Sequence, residues 1–207
     1  MLFKHSDKIV LASGNRGKIK EIQSILSEHT IITQQSLNIT EVEETGSTFI
    51  ENAILKAKNA ALHSKLPAIA DDSGLVIDAL QGAPGIISAR YAGENATNMD
   101  NLNLVLKNMQ HIPNSERSAR FICVIVLMRH ANDPFPLIAQ ASWEGKILTK
   151  PQGNNGFGYD PIFWLDKENC SSAELSPAKK NQLSHRAQAL QLLEKQLLEK
   201  QLLSYTL

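Results

Sequence analysis

The sequence has few cysteines and no long apolar run. Its two cysteines, Cys123 and Cys170, form no CxxC pair, so they indicate neither a disulfide scaffold nor a zinc site. No segment approaches the length of a membrane span, and the N-terminal residues lack the apolar core of a secretory signal. These absences predict a soluble, cytoplasmic protein in a reducing environment, with Cys123 as a buried thiol inside an apolar run.

The chain also lacks an excess of charge of either sign. Lysine plus arginine and aspartate plus glutamate each number 21, so no overall positive field is available to attract nucleic acid. Local basic residues could still bind a small anion. The 207 residues are 43% hydrophobic, which is enough for a substantial core and predicts one domain over residues 1–207, with or without two lobes.

Helix-like and strand-like patterns alternate along the chain, which predicts an α/β or α+β fold. The predicted strands are Ile9–Ala12, residues 31–39, a run that ends at Ala70, Leu75–Leu80, Phe121–Met128, Leu137–Trp143 and Lys146–Leu148. A further apolar run covers Ile162–Leu165. The predicted helices follow Lys18, begin at Phe49, follow the cap at Thr97, and run from Ser176 and Pro177 to about Leu203.

Two adjacent carboxylates, Asp71 and Asp72, follow the apolar run Ala68–Ala70 and precede Ser73 and Gly74. Side chains alternate along a strand, so only one of the two acids can face a given cleft. Carboxylates at the end of a buried strand suit Mg²⁺ that is held together with substrate phosphates. The alternative is a surface turn in which these residues only form the turn.

A glycine-rich turn, Ser13–Lys18, joins the first strand to the first helix. This arrangement directs backbone N–H groups and the positive end of a helix towards an anion. The spacing differs from that of a P-loop, because Ile19 follows Lys18 where a P-loop has Ser or Thr. An ordinary connection between two elements has the same appearance.

The helix that begins at Phe49 carries Asn52, Lys56 and Asn59 as a polar stripe. It follows the acidic residues Glu41, Glu43 and Glu44. Periodicity alone favours a solvent-facing stripe.

Late in the chain, the glycine-rich loop 151–160 carries Phe157 and Tyr159, which could receive a flat group such as a base or pack into the core. Two adjacent residues further along the chain, His185 and Arg186, are typical of a solvated surface.

Taken together, these segments resemble the inosine triphosphate/xanthosine triphosphate pyrophosphatase family over nearly the whole chain. The resemblance rests on six motifs in order: Ser13–Lys18; Glu43–Gly46 with Phe49–Lys56; Ala70–Gly74; Gly82–Gly85 with Ser88–Tyr91; Phe157–Pro161; and Ser184–Arg186. Ser13 stands where the family often has Thr, and Asn155 where it often has Gly. Both changes are mild, because Ser keeps the hydroxyl and Asn tolerates left-handed backbone.

The resemblance implies an α/β fold: an elongated mixed β-sheet flanked by helices, with two lobes around a central substrate cleft, usually as a homodimer. It implies Mg²⁺-dependent hydrolysis of non-standard purine nucleoside triphosphates (XTP, ITP and dITP) to the monophosphate and pyrophosphate. No nucleic acid or membrane partner is expected.

The resemblance also implies roles for individual residues. Asp72 is expected to be the base that accepts a proton from the attacking water, and Glu43 and Asp72 to hold the metal. The expected substrate-binding residues are Ser13, Gly14, Asn15, Arg16, Gly17, Lys18, Lys56 and Ser73 around the phosphates, and Phe157, Gly158, Tyr159, Asp160, Lys180, His185 and Arg186 around the base.

Base selection has a direct physical explanation. Hypoxanthine and xanthine present a keto acceptor at the position where adenine presents an amino donor. A donor that faces this position, such as Arg186 or a backbone N–H, would therefore favour the keto bases, because two opposed donors leave buried polar groups unpaired.

Two other functions remain open. A Mg²⁺-dependent phosphomonoesterase with an aspartyl nucleophile at Asp71 or Asp72 would release inorganic phosphate. A regulator that binds nucleotides without catalysis would show ligand binding and no turnover.

Overall fold

The computed structural model describes residues 8–204, which form a seven-stranded sheet with helices packed on it. The strand order is β2-β1-β3-β4-β5-β6-β7. Strand β1 pairs in parallel with β2 and β3, whereas β6 pairs antiparallel with β5 and β7. The predicted mixed sheet of an α/β fold is therefore confirmed.

The strands are β1 Lys8–Leu11, β2 Thr30–Thr33, β3 Ala68–Ile77, β4 Ser118–Met128, β5 Leu137–Ile147, β6 Phe163–Leu165 and β7 Cys170–Ser171. The α-helices are α1 Arg16–Ile25, α2 Phe49–Ser64, α3 Asn98–Asn108, α4 Pro177–Leu183 and α5 His185–Ser204. Short 3₁₀ helices cover Gln34–Leu37, Asp78–Leu80, Gly85–Arg90, Asn114–Glu116, Asp160–Ile162 and Ser172–Glu174.

The described chain divides into two compact units. The first unit holds residues up to Asp72, Cys123–Ala141 and the chain from Arg186 onward, and the second unit holds Ser73–Ile122 and Ser142–His185. Each unit has its own apolar core: Leu11, Ile22, Ile125 and Leu190 are central in the first, and Leu75, Leu102, Phe163 and Ile162 in the second. Cys123 is fully buried in the first core, as predicted, and burial raises the pKa of its thiol to about 12.

Local signals account for the helix starts. Thr48 and Glu51 form the capping box that begins α2, and Thr97 and Asp100 form the one that begins α3. Ser176 caps α4, and Pro177 occupies its first turn. The predicted starts at Phe49 and after Ser176 are therefore confirmed.

Strand β3 corrects the prediction of a strand end at Ala70. The strand runs without interruption over ten residues, and Asp71, Asp72, Ser73 and Gly74 lie within it. The prediction was wrong because acids beside a glycine are typical of turns, whereas here lysine and arginine side chains compensate both buried carboxylates. The alternative of a surface turn is excluded as well, since Asp71 and Asp72 are buried.

Other boundaries also differ from prediction: α1 begins at Arg16, within the predicted turn, and β4 begins at Ser118 instead of Phe121. The predicted strand 31–39 ends at Thr33, where the Thr33 hydroxyl accepts from the N–H of Ser36 and begins a 3₁₀ helix. The predicted strand Leu75–Leu80 ends at Ile77. The predicted turn at Glu144 and Gly145 is absent, because β5 continues from Leu137 to Ile147 and pairs there with β6.

The C-terminal helical region is two helices rather than one. Ser184 adopts an extended conformation between α4 and α5, with ψ of 156°. Lys180 therefore lies on α4, whereas Arg186 lies in the first turn of α5. Neither Pro nor Gly marks this break, so periodicity did not predict it.

Within residues 8–204, no helix is both long and apolar enough to cross a membrane. The prediction about a secretory signal concerns residues that include 1–7, which lie outside the described part of the chain.

Candidate active site

The glycine-rich turn leads from β1 into α1 within the first unit. Ser13 is buried, and Asn15 caps the helix by accepting the N–H groups of Gly17 and Lys18 at 2.9 and 3.1 Å. Arg16 is exposed, and Gly14 is half-buried. The turn thus has the predicted strand–turn–helix geometry, and its role in phosphate binding stays a prediction.

The polar stripe of α2 faces residues 40–46 instead of solvent. Asn52 is fully buried and accepts the N–H of Gly46 at 2.8 Å. Lys56 Nζ lies 2.8 Å from Glu44 Oε1, and Asn59 donates to the carbonyl of Thr40 at 2.9 Å. The interpretation of this stripe as the solvent face was therefore wrong. Its three side chains bind the acidic segment to the helix.

Asp72 and Glu44 share the cation of Lys56. Lys56 Nζ lies 2.9 Å from Asp72 Oδ1, and the Asp72 side chain is only 6% exposed. The second oxygen of Asp72, Oδ2, is buried and accepts no hydrogen bond from residues 8–204. Glu43, the predicted metal ligand, is exposed, and its neighbour Glu44 is the residue that contacts Lys56.

Asp71 points to a different set of charges, as expected for neighbouring residues of a strand. Its Oδ2 lies 3.2 Å from Lys18 Nζ and 3.3 Å from Arg186 Nη2. Arg186 is buried and also pairs through Nη1 with Glu21 of α1. Arg186 was expected to be a solvated residue or a donor to the base, and the structure shows it bound by two carboxylates.

The pKa values of the two aspartates are shifted in opposite directions. Burial raises the pKa of Asp71, but the nearby cations Lys18 and Arg186 outweigh burial and hold its pKa well below the usual range. For Asp72, burial prevails over the cations Lys56 and Lys18, so its pKa lies above the usual value. Asp72 is thus the better proton acceptor of the pair.

In the second unit, Asp160 organises the glycine-rich loop. Asp160 is 2% exposed and accepts the N–H of Phe157 at 2.8 Å and the hydroxyl of Ser172 at 2.8 Å. Its Oδ2 also lies 2.5 Å from Lys180 Nζ. That ammonium group lies 4.8 Å from the centre of the Phe157 ring, within the range of a cation–π contact.

Gly156 is required by this arrangement. Its φ of 77° is left-handed, and a Cβ there would lie 2.0 Å from Asp160 Oδ2. Phe157 is half-buried and keeps part of its ring accessible. Gly158, with φ of 62°, also lies in the left-handed region.

Tyr159 and His185 are part of the core of the second unit. Tyr159 is 5% exposed and donates from its hydroxyl to the carbonyl of Ser88 at 2.7 Å. His185 is buried and stacks on Phe121 with ring centres 4.8 Å apart. Tyr159 thus packs in the core, and its contact with a base stays a prediction. The solvated interpretation of His185 was wrong.

A pocket of about 320 Å³ lies beside the same loop. The first turns of α3 line it through Asn98, Met99 and Leu102, and the loop lines it from Gly153 to Gly158. Lys180 and His185 are not among the lining residues, so the pocket covers only part of the predicted base site.

The predicted site residues are distributed over both units. Ser13–Lys18, Glu43, Lys56, Asp72 and Arg186 belong to the first unit, and Ser73, Phe157–Asp160, Lys180 and His185 to the second. The sequence interpretation missed Glu21, Glu44, Ser172 and the structural role of Asp71. Only Glu44 had a signal, since it lies in the motif Glu43–Gly46.

Comparisons with known proteins give a consistent result. The model of the Ham1 family matches residues 9–196. A protein of Vibrio cholerae named dITP/XTP pyrophosphatase is 60% identical over 190 residues, which cover 91% of this chain and 95% of that protein. A protein of Escherichia coli K12 with the same name is 54% identical over 188 residues, covering 90% and 95% of the two chains.

Solved structures agree. The HAM1 protein from Coxiella burnetii is 50% identical and superposes with a TM-score of 0.86, covering 96% of this chain and 100% of that one. The Ham1 protein of Staphylococcus aureus is 42% identical with a TM-score of 0.82, covering 93% and 99%.

The Asp160–Lys180 pair gives a testable prediction. We expect Asp160→Asn to lower the free energy of unfolding by about 3 kcal/mol, because it leaves a buried ammonium group without its counter-charge. The measurement is urea denaturation followed by circular dichroism. The matched control is Asp166→Asn, whose pair with Lys146 is more than half exposed on both sides and should change stability by less than about 1 kcal/mol. Equal effects of the two substitutions would contradict the organising role of Asp160.

Proposed function

Since this chain belongs to the Ham1 family, we propose that it hydrolyses non-standard purine nucleoside triphosphates (XTP, ITP and dITP) to the monophosphate and pyrophosphate. The observation that carries this proposal is the likeness, over nine-tenths of the chain, to relatives named dITP/XTP pyrophosphatase. The buried charges around Asp71 and Asp72 support it, because a triphosphate substrate requires both cations and a proton acceptor.

Magnesium fits the donor set at Asp72. The buried Oδ2 of Asp72, which has no protein donor among the described residues, leaves one carboxylate oxygen for a cation. Glu43, on the neighbouring acidic segment, would be the second ligand. No group of three or more His, Cys, Asp or Glu within residues 8–204 is arranged to hold a metal. One or two carboxylates, completed by phosphate oxygens and water, suit Mg²⁺, which neutralises phosphate charge when bound.

Asp72 would act as the general base. Its burial favours the protonated form, so the carboxylate can accept a proton from the attacking water. Lys56 Nζ lies 2.9 Å from Oδ1 of Asp72 and so orients the carboxylate, while Oδ2 is not engaged by this lysine. Cleavage between the α and β phosphorus atoms then releases pyrophosphate.

The first unit would bind the phosphates. Lys18 and Lys56 carry positive charge at the start of α1 and on α2, and both side chains are about 15% exposed, so solvent and ligands can reach them. The Ser13–Lys18 turn would add hydroxyl and backbone donors.

The second unit would bind the purine. Phe157 offers a partly accessible ring whose position is set by the Asp160 and Lys180 contacts. Lys180 supplies a donor beside that ring, which suits the keto group of hypoxanthine or xanthine and not the amino group of adenine. His185, buried beside Phe121 at the start of α5, would support this site.

We also propose that the protein works in the cytoplasm as a homodimer. The cytoplasm holds the nucleotide pool from which such substrates would come. Light scattering on the purified protein should give twice the 22.8 kDa mass of one chain. A mass equal to that of one chain would contradict the homodimer.

The experiment that tests the function is the identification of the phosphorus product. Incubation with ITP or XTP and Mg²⁺ should release one pyrophosphate for each nucleotide hydrolysed. ³¹P NMR spectra identify and quantify the product. Inorganic phosphate as the first product would favour the phosphomonoesterase, and binding without turnover would favour a regulator. Omission of Mg²⁺ should abolish turnover.

A substitution tests the proposed base. Asp72→Asn should lower kcat by at least about 100-fold, because the amide cannot accept the proton from water. Asp78→Asn is the control, since Asp78 is an exposed acid paired with Arg120 and should leave kcat within about twofold. A near-normal kcat in a folded Asp72→Asn protein would reject the assignment.

A second substitution tests the proposed base-binding ring. Phe157→Ala should raise KM about tenfold with little change in kcat, because stacking of a base on an aromatic ring contributes to binding. Phe135→Ala removes a ring that is 68% exposed and serves as the control. An unchanged KM in Phe157→Ala would indicate that the ring only packs against its neighbours.

A further inference from the structure

Four charged residues of the first unit form a buried charge cluster: Lys18, Glu21, Asp71 and Arg186. The two cations meet at one oxygen, Asp71 Oδ2, with Lys18 Nζ at 3.2 Å and Arg186 Nη2 and Nε at 3.3 and 3.4 Å. Glu21 pairs with Arg186 from the other side. The cluster holds two positive and two negative charges, so it is neutral as a whole.

The two cations differ in their access to solvent. The Lys18 side chain is 16% exposed, whereas that of Arg186 is 2% exposed. Lys18 also has a long, flexible stem and compact charge, whereas the planar guanidinium of Arg186 is engaged by two carboxylates. Lys18 is therefore the cation that can leave Asp71 for a ligand.

We propose that Asp71 competes with the substrate phosphates for Lys18. Lys18 pairs with Asp71 in the ligand-free protein, binds the phosphates when substrate is present, and pairs with Asp71 again when pyrophosphate leaves. This inference rests on the proposed function. Asp71 acts through Lys18 and touches no substrate, so it is a positioning residue. The adjacent carboxylates then have separate tasks, with Asp72 beside Lys56 and Asp71 beside Lys18.

Arg186 makes the exchange possible. A buried carboxylate left without any cation is strongly unfavourable. Because Arg186 stays at the same oxygen, the departure of Lys18 leaves Asp71 still paired. The competition also weakens the binding of anions, since each phosphate that binds Lys18 must replace an existing ion pair.

The inference predicts that removal of the Asp71 charge increases the affinity for pyrophosphate, whereas removal of an ordinary binding residue would decrease it. Asp71→Asn should tighten the binding of inorganic pyrophosphate by about tenfold, because Lys18 no longer has a competing carboxylate. In the Lys18→Gln background, the same substitution should change binding by less than about twofold. Isothermal titration calorimetry with inorganic pyrophosphate and Mg²⁺ measures both without any turnover.

Glu21→Gln is the matched control. It removes one negative charge from the same cluster, but Glu21 pairs with Arg186 and not with Lys18, so the affinity should change by less than about threefold. Three results would overturn the inference: weaker pyrophosphate binding in Asp71→Asn, an equal tightening without Lys18, or an equally large effect of Glu21→Gln. The first would mean that Asp71 is needed for anion binding, and the others that only the general field matters.

If Asp71→Asn does not fold, the wild-type protein provides a second test. In ¹⁵N-lysine-labelled protein, the side-chain signal of Lys18, assigned with Lys18→Gln, should shift when pyrophosphate is added. An unchanged signal would overturn the inference. Release of pyrophosphate from ITP by the wild type is measured separately. If that release is observed and the calorimetric pattern is absent, only the role of Asp71 fails; if the pattern is present without hydrolysis, only the proposed function fails.

Discussion

Two adjacent carboxylates lie buried in the middle of β3, and their neutralisation constrains the first unit more than any other interaction. A buried charge is tolerated only when it is paired, and adjacent residues of a strand face opposite ways. Asp71 and Asp72 therefore form their ion pairs with different cations. Lys18 of α1 and Arg186 of α5 neutralise Asp71, and Lys56 of α2 neutralises Asp72. Three helices are thus attached to one strand through charge.

The second unit also contains a buried carboxylate that requires a counter-charge, Asp160. Asp160 is buried at the end of a glycine-rich loop, and Lys180 provides its counter-charge. The backbone of Phe157 and the hydroxyl of Ser172 use the remaining acceptor capacity. One carboxylate consequently fixes both the shape of a loop and the position of the aromatic ring on it.

Local signals in the sequence predicted much of this structure. The capping residues predicted the starts of α2 and α4. The acid pair of β3 was identified from its own residues, and the resemblance to a family predicted the mixed sheet. These features depend on residues that lie close together in the chain.

The remaining features depend on partners that are distant in sequence. Arg186 is 115 positions away from Asp71, and nothing near either residue indicates that they pair. Without that pairing, an Asp–Asp–Ser–Gly segment is best explained as a turn, and His185–Arg186 as a surface pair. The same reason explains why the polar stripe of α2 was interpreted as its solvent face. Charge compensation across the fold overrides local polarity.

The inward stripe of α2 has a consequence for anyone who redesigns this protein. Methods that choose positions by amphipathic pattern would select Asn52, Lys56 and Asn59 for replacement, for example to improve solubility or to attach a label. Such replacements would detach the acidic segment that these side chains hold. The exposed residues Lys58 and Leu62 of the same helix are the safer positions.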